Sequence, residues 1–204
     1  MMRVAVLASG SGSNFQALVD QLNVAQSVAH VVVLLTNEPL AGVIERARKA
    51  NIAVEVVDHR TAESRQAFDA EVVARLQKHE VQLVCLAGYM RLVTVDFLKH
   101  FQQRVINVHP ALLPSFPGMH GAAQALTAGV KVTGCTVHFV DEGVDTGPII
   151  AQAAVPVLPG DTEALLSERI QKEEHRLFAA VVRALARNEV TVNGRVVTLK
   201  EPLQ

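Results

Sequence analysis

Tryptophan is absent from this chain, and Tyr89 is its only tyrosine. So few flat side chains cannot make a stacking platform for single-stranded nucleic acid. Neither sign of charge prevails: 19 Lys and Arg stand against 20 Asp and Glu, for a formal net charge of −1. The chain therefore lacks the basic field that draws DNA or RNA. Cysteine is scarce as well. Cys85 and Cys135 each sit inside an apolar run. One such pair cannot furnish a zinc ribbon or an exported disulfide framework, and both read as buried free thiols. No apolar run is long enough to cross a bilayer. The stretch Met1–Ala8 is too short for a signal peptide and passes straight into a glycine loop. These absences lead to the expectation of a soluble, cytoplasmic protein with no nucleic-acid or membrane partner.

Aliphatic residues fill the gap. Half of the 204 residues are hydrophobic, which suits buried parallel strands covered by helices. Candidate strands are Val4–Ala8, Val31–Leu35, Val54–Val57, Leu83–Ala87 and Val105–Val108. Helical patterns start near Asn14, Ala41, Glu63 and Val95 between them, and Phe68, Val72 and Leu76 share one face of the third. Thr94 reads as an N-cap, with Asp96 in the first turn. This βαβα rhythm predicts an α/β fold, a Rossmann-like, mostly parallel sheet with helices on both faces. Further on come a short helix at Ala122–Ala128, strands Val132–Val140 and Ile149–Val157, and a long helix capped by Asp161 or Thr162. A hairpin around Asn193-Gly194 follows. No repeat or linker interrupts the pattern, so residues 1–204 are expected to form a single domain.

Ser9-Gly10-Ser11-Gly12-Ser13-Asn14 joins the first strand to the first helix. Glycines allow close backbone approach, and free N–H groups at a helix start attract an anion. A phosphate is expected there, and a side chain at Gly12 is expected to block it. A dinucleotide fingerprint would need a glycine where Phe15 stands, and the second strand ends in Thr36-Asn37 without an acid. The lysine of a Walker loop is absent too. A simple phosphomonoester fits best.

Asn107 and His109 lie two apart at a strand end, so they face the same way. Ligands of open α/β sheets gather beyond the carboxyl ends of the strands. The loop after them carries Pro110, Pro114 and Pro117 and is stiff; its tight turn suggests a cis bond at Leu113-Pro114. Asp145 sits in the acidic loop 141–148, which by itself would read as a solvated connection. Acyl transfer to an amine explains the combination. An amide N–H or an imidazolium stabilises the carbonyl oxygen as it gains charge, a histidine moves protons, and a carboxylate orients the histidine and favours its charged form. The pairing of Asp145 with His109 is inferred from that chemistry. His138, inside a strand, is either a satisfied core residue or a cleft wall; His120 could line the site. No His, Cys or acidic spacing matches a metal site, so no metal is expected.

Four segments carry a resemblance: 8–14, Leu86-Ala87-Gly88-Tyr89-Met90-Arg91, 107–114 and 134–148. Together they closely resemble the phosphoribosylglycinamide formyltransferase family, folate-dependent enzymes of purine biosynthesis, and the similarity runs from about Arg3 to Leu199. The resemblance implies transfer of the formyl group of 10-formyltetrahydrofolate, as co-substrate, to the amine of glycinamide ribonucleotide. It implies Asn107, His109 and Asp145 as the catalytic trio that stabilises the tetrahedral intermediate and moves protons. Gly12, Ser13, Asn14 and Glu174 would hold the ribonucleotide. Arg65, Met90, Arg91, Leu92 and Val93, with Asn107 and the loop Asp141, Glu142, Gly143, Val144 and Asp145, would hold the folate. For Arg65, an ordinary exposed helix arginine is an equal alternative. The implied partners are small molecules, and monomer and homodimer stay open.

Rivals within this chemistry are methionyl-tRNA formyltransferase, which adds a C-terminal tRNA domain, and formyltetrahydrofolate deformylase, which adds an N-terminal regulatory one; the length of this chain argues against both. A non-catalytic sugar-phosphate sensor would not need His109 or Asp145, and a dinucleotide oxidoreductase is opposed by Phe15.

Overall fold

The computed structural model describes residues 1–203. Contacts group the chain into two compact units, one ending at Ile106 and one starting at Asn107.

In the first unit, β1 (Met2–Leu7), α1 (Ser13–Leu22), β2 (Ala29–Thr36), α2 (Val43–Lys49), β3 (Ala53–Val56), α3 (Arg65–Lys78), β4 (Leu83–Leu86) and α4 (Val95–His100) alternate along the chain. β1 pairs in parallel with β2 and β4, and β2 with β3. Val4–Leu7 and Leu83–Leu86 are buried without a break, the mark of strands covered on both faces. α1 buries Phe15, Leu18, Val19 and Leu22, one stripe at helical spacing. Phe15 is wholly buried, so it anchors the helix where a dinucleotide site would need a glycine. Ser64 caps α3 by accepting from the Ala67 N–H at 3.0 Å, and Thr94 caps α4 through the Phe97 N–H at 3.3 Å.

β5 (Val105–His109) begins in the first unit and ends in the second. The second unit continues with α5 (Gly121–Ala128), β6 (Val132–Phe139), β7 (Ile149–Pro156), α6 (Glu163–Ala186) and the hairpin β8 (Val190–Asn193) and β9 (Val196–Leu199). β6 and β7 pair antiparallel, with a register shift at Val137/His138. α6 packs on both, and β9 touches β7. Thr162, not Asp161, caps α6, accepting from the Leu165 N–H at 3.3 Å. Asp161 instead pairs with Arg169 at 2.8 Å.

The main sheet thus runs β3-β2-β1-β4-β5 on the first side and β5-β6-β7 on the second, seven strands in all. The mostly parallel α/β sheet expected from the sequence is what forms. Boundaries differ by a residue or two. The Leu113-Pro114 bond is cis, as its turn suggested. Among the described residues no helix is long and apolar enough to cross a membrane.

Candidate functional site

Strand alternation puts Asn107 and His109 on the same face of β5. The chain beyond them is fixed from the side. Thr136 on β6 donates its hydroxyl to the Ala111 carbonyl at 2.7 Å and accepts the Leu113 N–H at 3.0 Å. Gln152 on β7 donates to the Leu113 carbonyl at 2.9 Å. Buried Thr136 and the more exposed Gln152 thus hold the proline loop that follows His109.

Asp145 closes the cluster. Its Oδ2 lies 3.3 Å from His109 Nδ1 and accepts the Gly118 N–H at 2.8 Å. Its Oδ1 lies 3.5 Å from Asn107 Nδ2 and 3.6 Å from His138 Nε2. The pairing inferred from chemistry is therefore present, and His138 is a wall of the same cluster. His109 and His138 are both buried. His109 Nε2 meets the Phe116 carbonyl at 2.8 Å, so both of its ring nitrogens face oxygen acceptors. Burial pushes the Asp145 carboxyl upward, but its polar neighbours, among them the Gly118 N–H and the charge of His109, outweigh it and hold the group below the usual range.

Asp145 has φ +55°, the left-handed region that non-glycine residues rarely adopt. Its loop is braced to keep it there. Asp141 Oδ1 accepts the Thr146 hydroxyl at 2.6 Å and the Gly143 N–H at 3.1 Å. Arg195, in the hairpin turn, donates to the Thr146 carbonyl at 2.9 Å. Gly147 passes so close to the Phe139 carbonyl that a Cβ would overlap it. Glu142 and Val144 are exposed on this loop. Glu174 is buried on α6, its charge felt by Cys135 on β6.

In the first unit the glycine loop is locked at one end. The Ser9 hydroxyl donates to Asn37 Oδ1 at 2.6 Å and accepts the Met90 N–H at 2.9 Å, so it is spent on structure. Gly12, with φ +77°, caps α1, and Ser13 and Asn14 open its first turn. A Cβ on Gly12 would strike the Val43 side chain of α2. A side chain there would push against α2 as well as block an anion. A Cβ on Gly10 meets nothing within 4 Å. Arg46 of α2 donates to the Ser11 carbonyl at 2.8 Å, bringing a cation to the loop.

α3 carries the 90–93 loop. Arg65 Nε donates to the Leu92 carbonyl at 3.0 Å and Nη2 reaches the Val93 carbonyl at 3.4 Å. Arg91 stacks over the Phe68 ring at 4.7 Å, and Asp69 accepts the Thr94 N–H at 2.6 Å. Met90 and Leu92 stay 64% and 54% exposed, apolar side chains on a tied backbone.

The sequence left His138 open between core and cleft wall, and Arg46 escaped it altogether. A histidine inside an apolar strand looks the same whether it faces a core or a carboxylate, and a helix arginine gives no sign of the loop it reaches.

The fold is a mostly parallel α/β sheet, with an amide, two imidazoles and a carboxylate gathered at the end of β5. Comparison with known proteins narrows this. The formyl transferase family matches residues 2–182. The chain is 50% identical over 94% of its length to the trifunctional purine biosynthetic protein adenosine-3 of Drosophila melanogaster. It spans only 14% to 20% of such trifunctional relatives. It is 49% identical to the phosphoribosylglycinamide formyltransferase of Mycobacterium tuberculosis, covering 97% of this chain and 91% of that one. The crystal structure of glycinamide ribonucleotide transformylase 1 from Symbiobacterium toebii superposes with a TM-score of 0.95 at 49% identity, covering 98% and 94% of the two chains. The chain belongs to the formyl transferase family.

Proposed function

We propose that this chain moves the formyl group of 10-formyltetrahydrofolate onto the amine of glycinamide ribonucleotide, a step of de novo purine (IMP) biosynthesis in the cytoplasm, with residues 1–204 acting as one catalytic domain. The observation that carries this reading is Asp145, whose carboxylate meets His109 with one oxygen and faces Asn107 and His138 with the other.

When bound, the formyl folate supplies a formyl group on a nitrogen that departs as an amine. The acceptor amine is itself the nucleophile, so no side chain needs to attack. That agrees with the thiols: burial pushes both up, Cys135 to about 12, so neither is a ready thiolate. Asn107 donates an amide N–H to the formyl oxygen as it gains charge. His109 takes a proton from the attacking nitrogen and returns it to the departing one, so the new C–N bond forms and the old one breaks with no net change in protons. Asp145 orients His109 through Nδ1 and balances its charge. Gly12, Ser13 and Asn14, with Arg46 near, hold the phosphate end of the ribonucleotide at a helix start, and Glu174 contacts that substrate. Met90, Arg91, Leu92 and Val93 receive the flat pterin ring, and the loop Asp141, Glu142, Gly143, Val144 and Asp145 covers it. Arg65 serves this site chiefly by fixing the 92–93 carbonyls. The residues fit such a ring: Met90 and Leu92 are exposed and apolar, and their loop is tied at Met90, Leu92 and Thr94.

The test is to mix the protein with 10-formyltetrahydrofolate and a panel of amines and follow the folate absorbance. Turnover with glycinamide ribonucleotide alone is expected. Folate consumption without any acceptor would mean transfer to water and would overturn the assignment.

A further inference from the structure

His138 is buried inside the reactive cluster, yet its contacts differ from those of His109. Its Nδ1 lies 2.8 Å from the Phe139 carbonyl, an acceptor only, so that nitrogen carries the hydrogen. In the neutral ring Nε2 is then a lone pair. That lone pair lies 3.2 Å from Asn107 Nδ2, within hydrogen-bond reach. Asp145 Oδ1 lies 3.6 Å from the same Nε2, which is beyond it. The nearer partner is the amide. A register shift falls at Val137/His138, and strand irregularities beside active sites often re-aim a side chain.

We infer that His138 is a positioning residue that acts through Asn107, its Nε2 lone pair fixing which way the Asn107 amide faces. One amide hydrogen is anchored on His138. The second points toward Asp145 Oδ1 at 3.5 Å, the loose limit of a hydrogen bond. It is the hydrogen that can move to the formyl oxygen at little cost. With a hydrogen on Nε2 instead, the ring would call for the amide oxygen, and Asn107 would turn a lone pair where a donor is needed. This inference rests on the proposed formyl transfer and adds a second histidine to it, with a role unlike that of His109.

Two experiments decide it. Nitrogen-15 NMR of the free protein reads the ring of His138 directly, without substrate. A hydrogen on Nδ1 and a bare Nε2 are expected; a hydrogen on Nε2 overturns the inference even if transfer is confirmed. The second is a double-mutant cycle in kcat. His138→Phe removes the lone pair and should cost about tenfold or more in kcat with the ribonucleotide KM unchanged. His138→Gln, whose amide oxygen can accept the same hydrogen, should recover part of that loss. In an Asn107→Ala background, His138→Phe should cost nothing further. An equal cost in both backgrounds would mean that His138 acts independently of the amide, and the inference falls. Should His138→Phe fail to fold, the NMR result and His138→Gln still test it. A wild-type protein that transfers no formyl group would remove the proposed function, leaving the ring state of His138 to be judged separately.

Discussion

Asp145 Oδ2 stands 3.3 Å from His109 Nδ1, and the two residues are 36 positions apart in the chain, as 145 − 109 shows. Asn107, His138 and the Gly118 N–H gather around the same carboxylate. Asp145→Asn keeps the size and the left-handed backbone but loses the charge, and His109→Ala removes the imidazole proposed to carry the proton. Each should lower kcat by about a hundredfold or more, while circular dichroism and ribonucleotide binding stay as in the wild type. Wild-type turnover in either variant would rule out the pair as the proton-moving element.

The glycine loop offers a contrast between neighbours. Gly12→Ala places a methyl group against Val43 at φ +77°, so it should destabilise by about 1–3 kcal/mol. Gly10→Ala meets open space and should melt at the wild-type temperature. If Gly10 approaches the phosphate, that same variant will bind the ribonucleotide more weakly by calorimetry. Equal melting temperatures for the two variants would contradict the packing described for α2.

Acid stability should depend on Asp161. Hydrogen bonds from Arg169 and from the Leu158 N–H hold its carboxyl at about 2, below its ordinary 3.8. A folded-state value below the unfolded one means that the group stabilises the protein above the unfolded value and loses that effect as pH falls through the folded one. Asp161→Asn should therefore melt lower than wild type at pH 6, and the gap should close between about pH 4 and pH 2. A gap that persists at pH 2 would contradict the ion pair as its source.

The hairpin lies beyond residue 182, where the family match ends, yet Arg195 donates to the Thr146 carbonyl next to Asp145. Arg195→Ala should leave the melting temperature almost unchanged, since the contact is exposed, and slow kcat by about threefold to tenfold through a looser loop. Arg195→Lys should fall between. An unchanged kcat would show that Asp141 holds the loop without help.

Much of this was legible in the sequence. Strands such as Leu83–Leu86 announce themselves because burial on both faces demands an unbroken apolar run. Asn107 and His109 could be placed together because a strand has a period of two. What could not be read depends on contacts distant in the chain. Nothing local tells that Ser9 spends its hydroxyl on Asn37 and Met90, that Gly12 answers to Val43, or that His138 faces an amide. Asp161 and Thr162 compete for one cap, and only the position of Arg169, a full two turns on, decides between them.

The positive φ of Asp145 narrows what evolution or a mutagenesis library can place at that position. Branched and bulky side chains are excluded by the backbone before chemistry has any say, leaving glycine, asparagine and aspartate as comfortable occupants. Of those, aspartate alone brings a negative charge. A selection for folded protein at position 145 should therefore return all three, and a selection for growth without supplied purines should return one.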